Sequence, residues 1–159
     1  MENSTPSTFA ITVVLLSSTI MLAQPQEQEK KIKRSDLPPA VEKTVEAMSQ
    51  SATIRGFSQE KENGQIFYEA EMMLDGHSKD VLIDSHGDVA EVEEEVPPNS
   101  LPPAVKEGLQ AKAGKGKLIK VESLTKHNKL VAYEAKVITA GKKSEIQVGP
   151  DGKPLDHEE

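Results

Sequence analysis

Apolar positions change period along this chain, and the same change occurs twice. Val41, Val45 and Met48 fall at i, i+4 and i+7, one stripe of a helix, with Glu42, Lys43 and Glu46 on the other side. Leu37 and Pro38 each precede a proline, which disfavours helical angles at both, so the helix is expected to begin near Pro39. From Thr53 the period becomes two. Residues 53–60 read as a strand, 65–73 as a stronger one, 79–84 as a third and 89–92 as a short fourth. In the strong strand Ile66, Tyr68, Ala70 and Met72 share one face, and Phe67, Glu69, Glu71 and Met73 share the other. Asp75-Gly76 and Ser85-His86-Gly87-Asp88 are turn signals. Glu91–Glu95 with Pro97-Pro98-Asn99 reads as a solvated acidic link.

The plan then repeats. Val105 and Leu109 mark a helix over 103–113, weakened by Gly108. Strands follow at 117–125 and 130–138, and Ile146 and Val148 mark another. The pentapeptide Leu37–Val41 recurs as Leu101–Val105, Tyr68–Ala70 as Tyr133–Ala135, and the turn at Gly87 as that at Gly152. Each pair is separated by about 65 residues. The fold class is therefore α+β: two tandem repeats, each one helix followed by an antiparallel three- or four-stranded meander. The divisions are 1–23, 24–36 as a flexible polar leader, 37–96 as the first repeat, 97–100 as a linker and 101–159 as the second repeat. A unit of about 60 residues is near the lower limit for a self-sufficient core, so the repeats are expected to stabilise one another. Both tyrosines are expected in the core.

Residues 9–23 are an uncharged apolar run, too short for a comfortable span of about 20 residues but suited to a secretory signal. Against this, the first eight residues lack lysine and arginine, Met21 is large for position −3 of a cleavage after Ala23, and four basic residues follow at 30–34. The reading is a cleaved signal peptide, with an uncleaved membrane anchor as the alternative. The formal net charge is −7. Without residues 1–23 it is about −6, which speaks against a general nucleic-acid binder. There is no cysteine, which excludes disulfides, thiol catalysis and thiolate zinc sites.

A helix opening with Leu-Pro, a tyrosine strand of the Tyr-Glu-Ala type, and Val81–Gly87 with its counterpart Ile146–Gly152 together resemble the PepSY-like family. The resemblance is to its tandem form related to beta-lactamase inhibitory proteins, and covers residues 37–159. It implies an exported, periplasmic or extracellular, non-enzymatic module that binds or restrains a secreted or envelope protein such as a peptidase. In the inhibitory relatives a concave sheet face engages the enzyme. This chain lacks their disulfides and has no tryptophan.

Other chemistry is read as absent. His77 and His86 flank one strand, with their turns about 17 Å apart, too far for one metal. His127 lies in a turn and His157 in a terminal stretch. Asp75, Asp80, Asp84 and Asp88 are spaced along a strand and its turns rather than around a calcium loop. Glu69 and Glu71 have no evident neighbour to tune an acid–base pair. Lys112, Lys115, Lys117 and Lys120 with Gly114 and Gly116 do not form GxxxxGK[ST], and no GxSxG elbow occurs. No catalytic, metal or cofactor residue is assigned. Period two places Phe67, Glu69, Glu71, Met73 and Leu82 of the first repeat, and Leu130, Glu134, Lys136 and Ile138 of the second, on the sheet face opposite the helices, the expected partner-binding face. The alternative is a structural or small-ligand protein of the envelope, holding a peptide, a cell-wall fragment or a lipid.

Intact-mass measurement on protein recovered from its native envelope should show a chain without Met1–Ala23. A mass including them would identify an anchor.

Overall fold

The computed structural model describes residues 29–62 and 64–159. The signal reading for residues 1–23 and the first part of the leader lie outside the described residues. The elements are β1 (Lys30–Ile32), a 3-10 turn (Arg34–Asp36), α1 (Pro39–Met48), β2 (Thr53–Glu62), β3 (Gln65–Leu74), β4 (His77–Asp84), β5 (Val89–Glu95), α2 (Pro103–Ala113), β6 (Lys117–Lys126), β7 (Lys129–Thr139) and β8 (Lys142–Val148). All eight strands form one sheet in chain order, each antiparallel to the next. The α+β meander of two repeats is the observed architecture. Both helices start on the second proline of their Pro-Pro pair, after a residue in extended geometry. The missing proline N–H costs nothing there, since the first helical donors lack partners anyway.

Two expectations are corrected. Glu91–Glu95 is not a solvated link but the body of β5, paired with β4 on one side and β6 on the other. Val92 faces Val81 across β4 and Thr125 across β6, which joins the repeats into a continuous sheet. Residues 30–36, read as part of a flexible leader, are structured: Ile32 sits opposite Phe57 and packs on the first core.

Register shows the duplication more closely than sequence does. Phe57 faces Ala70, and Val121 faces Ala135; Tyr68 faces Ile83, and Tyr133 faces Val148. Even an irregularity repeats, between Ile54 and Gly56 and again between Leu118 and Lys120. The first core gathers Val41 and Val45 from α1 against Phe57, Tyr68, Ala70, Met72, Val81 and Ile83. The second gathers Val105 and Leu109 from α2 against Val121, Ala135, Val137 and Val148. Each fully buried valine or leucine contributes about 1.5–3 kcal/mol. Tyr68 is buried; Tyr133 packs on its core while partly exposed. The pairing of Val81 with Val92 and of Val92 with Thr125 keeps both helices on one face of the sheet.

The turn after the third strand of each repeat presses on its helix. A Cβ at Gly87 would lie 2.8 Å from the Ala40 carbonyl, and one at Gly152 would collide with the Ala104 carbonyl. In the first repeat the Thr44 hydroxyl donates to the Gly87 carbonyl at 2.6 Å. In the second, Gly108 leaves room for the Gly152 carbonyl to touch the helix directly. Gly108 is therefore a packing requirement, which explains a poor helix former inside α2.

Gly152→Ala should cost about 3 kcal/mol or more, from a positive φ and a backbone collision together. Gly76→Ala should cost only about 1 kcal/mol, because Gly76 also has positive φ but nothing near its missing Cβ. Urea denaturation midpoints check this; equal losses would refute the collision.

Candidate functional site

The face away from the helices carries no core cluster, yet parts of it are inaccessible. Ser58 is 0 % exposed, Glu122 2 %, Leu124 3 %, Ala132 0 % and Gln147 6 %. Among the described residues no helix lies on this side; the twisted sheet and the C-terminal Glu159, whose backbone N–H reaches Gln147, crowd these side chains and leave a recessed, concave face.

A trough of about 380 Å³ is lined by Glu60, Glu62, Glu69, Asp80, Leu82, Glu91, Glu93, Lys126 and Glu159. Antiparallel pairing creates it. Ser58, Glu69, Leu82, Glu91 and Lys126 form one cross-strand row, and Glu71, Asp80, Glu93 and Leu124 form the next, so five of these nine side chains are carboxylates. The Ser58 hydroxyl donates to Glu69 at 2.6 Å, and Lys126 pairs with Glu91 at 3.5 Å. Glu122 is neutralised by Lys120 at 2.5 Å and Lys136 at 3.7 Å, with the Ser78 hydroxyl at 3.4 Å. The Gln147 amide donates to Glu134 at 3.0 Å, and the Glu159 backbone N–H donates to the Gln147 side-chain oxygen at 2.8 Å.

The carboxyls here are hard to ionise. Glu93 is pushed up to about 8, first by burial and then by Glu122, Glu134, Glu91 and Asp80. Asp80 rises to about 6, by burial and then the charge of Glu69, with Lys120 opposing. Burial also raises Glu91 against the pull of Lys126, and raises Glu134 against the Gln147 amide. Burial disfavours the Lys136 charge, but Glu122, Glu145 and Glu93 outweigh it and hold its pKa up. By contrast the Ser78 backbone N–H lowers Glu95.

Two further recesses lie apart from the trough lining. One of about 410 Å³ lies among Ile119, Lys120, Lys136, Lys143, Ser144 and Glu145, and exposes Ile119 at a strand irregularity. The other, about 640 Å³, lies at the end of the sheet where the repeats join, between Ile66, Phe67, Tyr68, His86, Val89 and His127.

Of the residues assigned to the partner face from sequence, Glu69 and Leu82 line the trough. Glu134 and Lys136 stand beside buried Glu122 and Gln147. Phe67 is half-buried and borders the end recess, and Glu71 pairs with Lys31. Met73 and Ile138 are half-buried on the same face by alternation. Leu130 is a correction. An irregularity between Leu124 and Thr125 leaves Val131 without a partner, and Leu130 pairs with Thr125, on the helix side. Asp80, inside the expected strand 79–84, is not among the residues assigned to the face but lines the trough. Its period-two relation to Leu82 could have revealed it, as Glu122 within strand 117–125 could have been found. Glu91 and Glu93 were hidden by the reading of their segment as a link.

The architecture is a tandem meander, two helix-and-strand repeats joined in one antiparallel sheet. Comparison with solved structures agrees on the fold. The chain is similar to a BLIP-like protein from Bacteroides fragilis (24% identity, 75% of this chain and 83% of that one, TM-score 0.57). It is similar to a DUF2874 family protein from Bacteroides ovatus (20% identity, 76% and 86%, TM-score 0.60). It is also similar to a protein from Bacteroides eggerthii named as a candidate periplasmic protein (17% identity, 75% and 86%, TM-score 0.62). No protein-family model and no curated protein matches the sequence.

In the folded chain Glu93 is pushed up to about 8, whereas the unfolded chain loses that proton near the ordinary glutamate value of 4.5. Between those values folding takes up a proton, so this group's contribution to stability falls as pH rises. Glu93→Gln should stabilise the protein by about 2 kcal/mol at pH 8.5 and by much less at pH 5. Thermal denaturation at both pH values checks this; a variant less stable at pH 8.5 would refute the assignment.

Proposed function

We propose that this chain is an exported, non-enzymatic binding module that holds a secreted or envelope protein, such as a peptidase, against its concave sheet face. The observation that carries the reading is the open face itself. Among the described residues it is free of helices, is recessed along the trough, and sets half-buried Phe67, Met73, Leu82 and Ile138 among charges. Apolar groups within a polar rim are the usual anatomy of a protein interface. The shared fold with a BLIP-like protein supports a binding rather than a catalytic role, and the periplasmic name of another protein of this fold supports export. A second reading, a small-ligand carrier, is favoured by the end recess. Its volume of about 640 Å³ and its mixture of aromatic, aliphatic and histidine side chains suit a small molecule. A ligand retained through purification and seen by native mass spectrometry would support it.

The variant Phe67→Ala, Met73→Ala, Ile138→Ala should remain folded and lose affinity for the envelope partner recovered with the wild type by more than about tenfold. Unchanged affinity in a folded variant would place the interface elsewhere.

A further inference from the structure

We propose that the open edge of β8 is a self-association surface, on which a second copy of this chain pairs its own β8 antiparallel about a two-fold axis at Ser144. The inference concerns the sheet edge and is independent of what the concave face binds. Among the described residues β8 is a terminal strand of the sheet, and no strand pairs along its outer side. The other terminal strand, β1, has only three residues, whereas β8 has seven. A long open edge is a template for a further strand, and a short one is a poor template. Lys142–Glu145 are all exposed.

The backbone of this edge is ready for a two-fold partner. Thr139 and Lys142 pair across the two-residue turn Ala140-Gly141, both at positive φ. Such a turn closes on a hydrogen-bonded pair, and bonded pairs then alternate along the hairpin. Lys142, Ser144 and Ile146 therefore bond inward to β7, while Lys143 and Glu145 turn N–H and C=O outward. Gln147 is next in that outward set, but its carbonyl already accepts from the Lys112 Nζ at 3.1 Å. Lys143 and Glu145 are thus the outward pair left for a second copy.

Charge selects the register. A two-fold axis at Ser144 sets Lys143 opposite the second copy's Glu145, and Glu145 opposite its Lys143, both on the concave side. An axis at Lys143 would set that lysine against its own copy, and an axis at Glu145 would do the same to the glutamate. Like charges directly opposite are destabilising, and opposite charges stabilise. Among the described residues Lys143 has no ion pair, whereas Glu145 lies 3.8 Å from Lys136 of the neighbouring strand. Pairing places Glu145 between Lys136 and the second copy's lysine. Lysines on an edge ordinarily discourage pairing. Here they discourage the neighbouring registers and leave one open. A pairing over Lys142–Ile146 alone buries less than the ~1,200 Å² of a standard interface, so the dimer is weak and forms at ~0.1 mM or above.

The test is sedimentation equilibrium of the protein at ~0.15 M salt, where screening reduces the repulsion between copies of formal charge −7. The wild type should approach a dimer as concentration rises to ~1 mM. Lys143→Glu and Glu145→Lys should each weaken association by about tenfold, and an equimolar mixture of the two variants should recover it. The chain has no cysteine, so Ser144→Cys introduces a single thiol. Facing Ser144 positions form a non-hydrogen-bonded pair with Cα atoms ~4.5 Å apart, within disulfide range. Under oxidised glutathione, Ser144→Cys should give covalent dimer at least ~10-fold faster than Glu46→Cys on α1, whose thiols meet only by collision. Four results would each overturn the proposal. They are a monomer at every concentration, a mixture no tighter than either variant alone, equal cross-linking of the two cysteine variants, and tighter association by Glu145→Lys. The last would mean that net charge alone governs association.

Discussion

The strand Val89–Glu95 holds the structure together as one object. Each repeat has a helix and a few strands, too little to bury a secure core alone. By hydrogen-bonding to β4 and β6 at once, this strand turns two marginal units into a single sheet with both helices on one side. It must do so while carrying Glu91, Glu93 and Glu95 on the other side. Backbone pairing on both edges holds the strand, so the side chains are placed by the ladder and not by their own preference for water. The acidic trough follows directly from that constraint.

The helix face was legible from sequence because each of its rules is local. Paired prolines set where the helices begin, period two separates Tyr68, Ala70 and Met72 from their neighbours, and the repeat of about 65 residues confirms both readings independently. The concave face was only half legible. Glu69, Leu82, Glu134 and Lys136 follow from alternation. Glu91 and Glu93 do not, since a run of glutamates with few apolar partners reads as solvated unless the pairing on both sides is known. Leu130 failed for a different reason. A single unpaired residue at Val131 shifts the phase of alternation, and nothing in Leu130–Ala132 announces it.

The concave face stores unfavourable electrostatics where the helix face stores packing. Raised pKa values at Glu93, Asp80, Glu91 and Glu134 mean that ionising this surface opposes folding. The two cores can tolerate that cost because they are separate from it, on the opposite side of the sheet. A surface of this kind is relieved by whatever neutralises it.

Comparing the repeats with each other shows which positions the fold needs. On the helix side the chemistry is retained at matching places: Tyr68 and Tyr133, Ala70 and Ala135, Ile83 and Val148, in the same register. On the concave side Glu69 recurs as Glu134, but other positions have diverged. Where the first repeat has Ser58, Phe67, Glu71 and Leu82, the second has Glu122, Ala132, Lys136 and Gln147. Packing required the first set to stay alike, whereas nothing in the fold required the second set to differ. The consequence is a face without the pseudo-symmetry of the chain that builds it, acidic over the first repeat and the joining strand, and lysine-bearing around Lys120, Lys136 and Lys143 of the second. A partner meeting such a face finds opposite charge at opposite ends, so only one of the two orientations along the strands is favourable. Duplication supplied the scaffold, and divergence of one side gave it a direction.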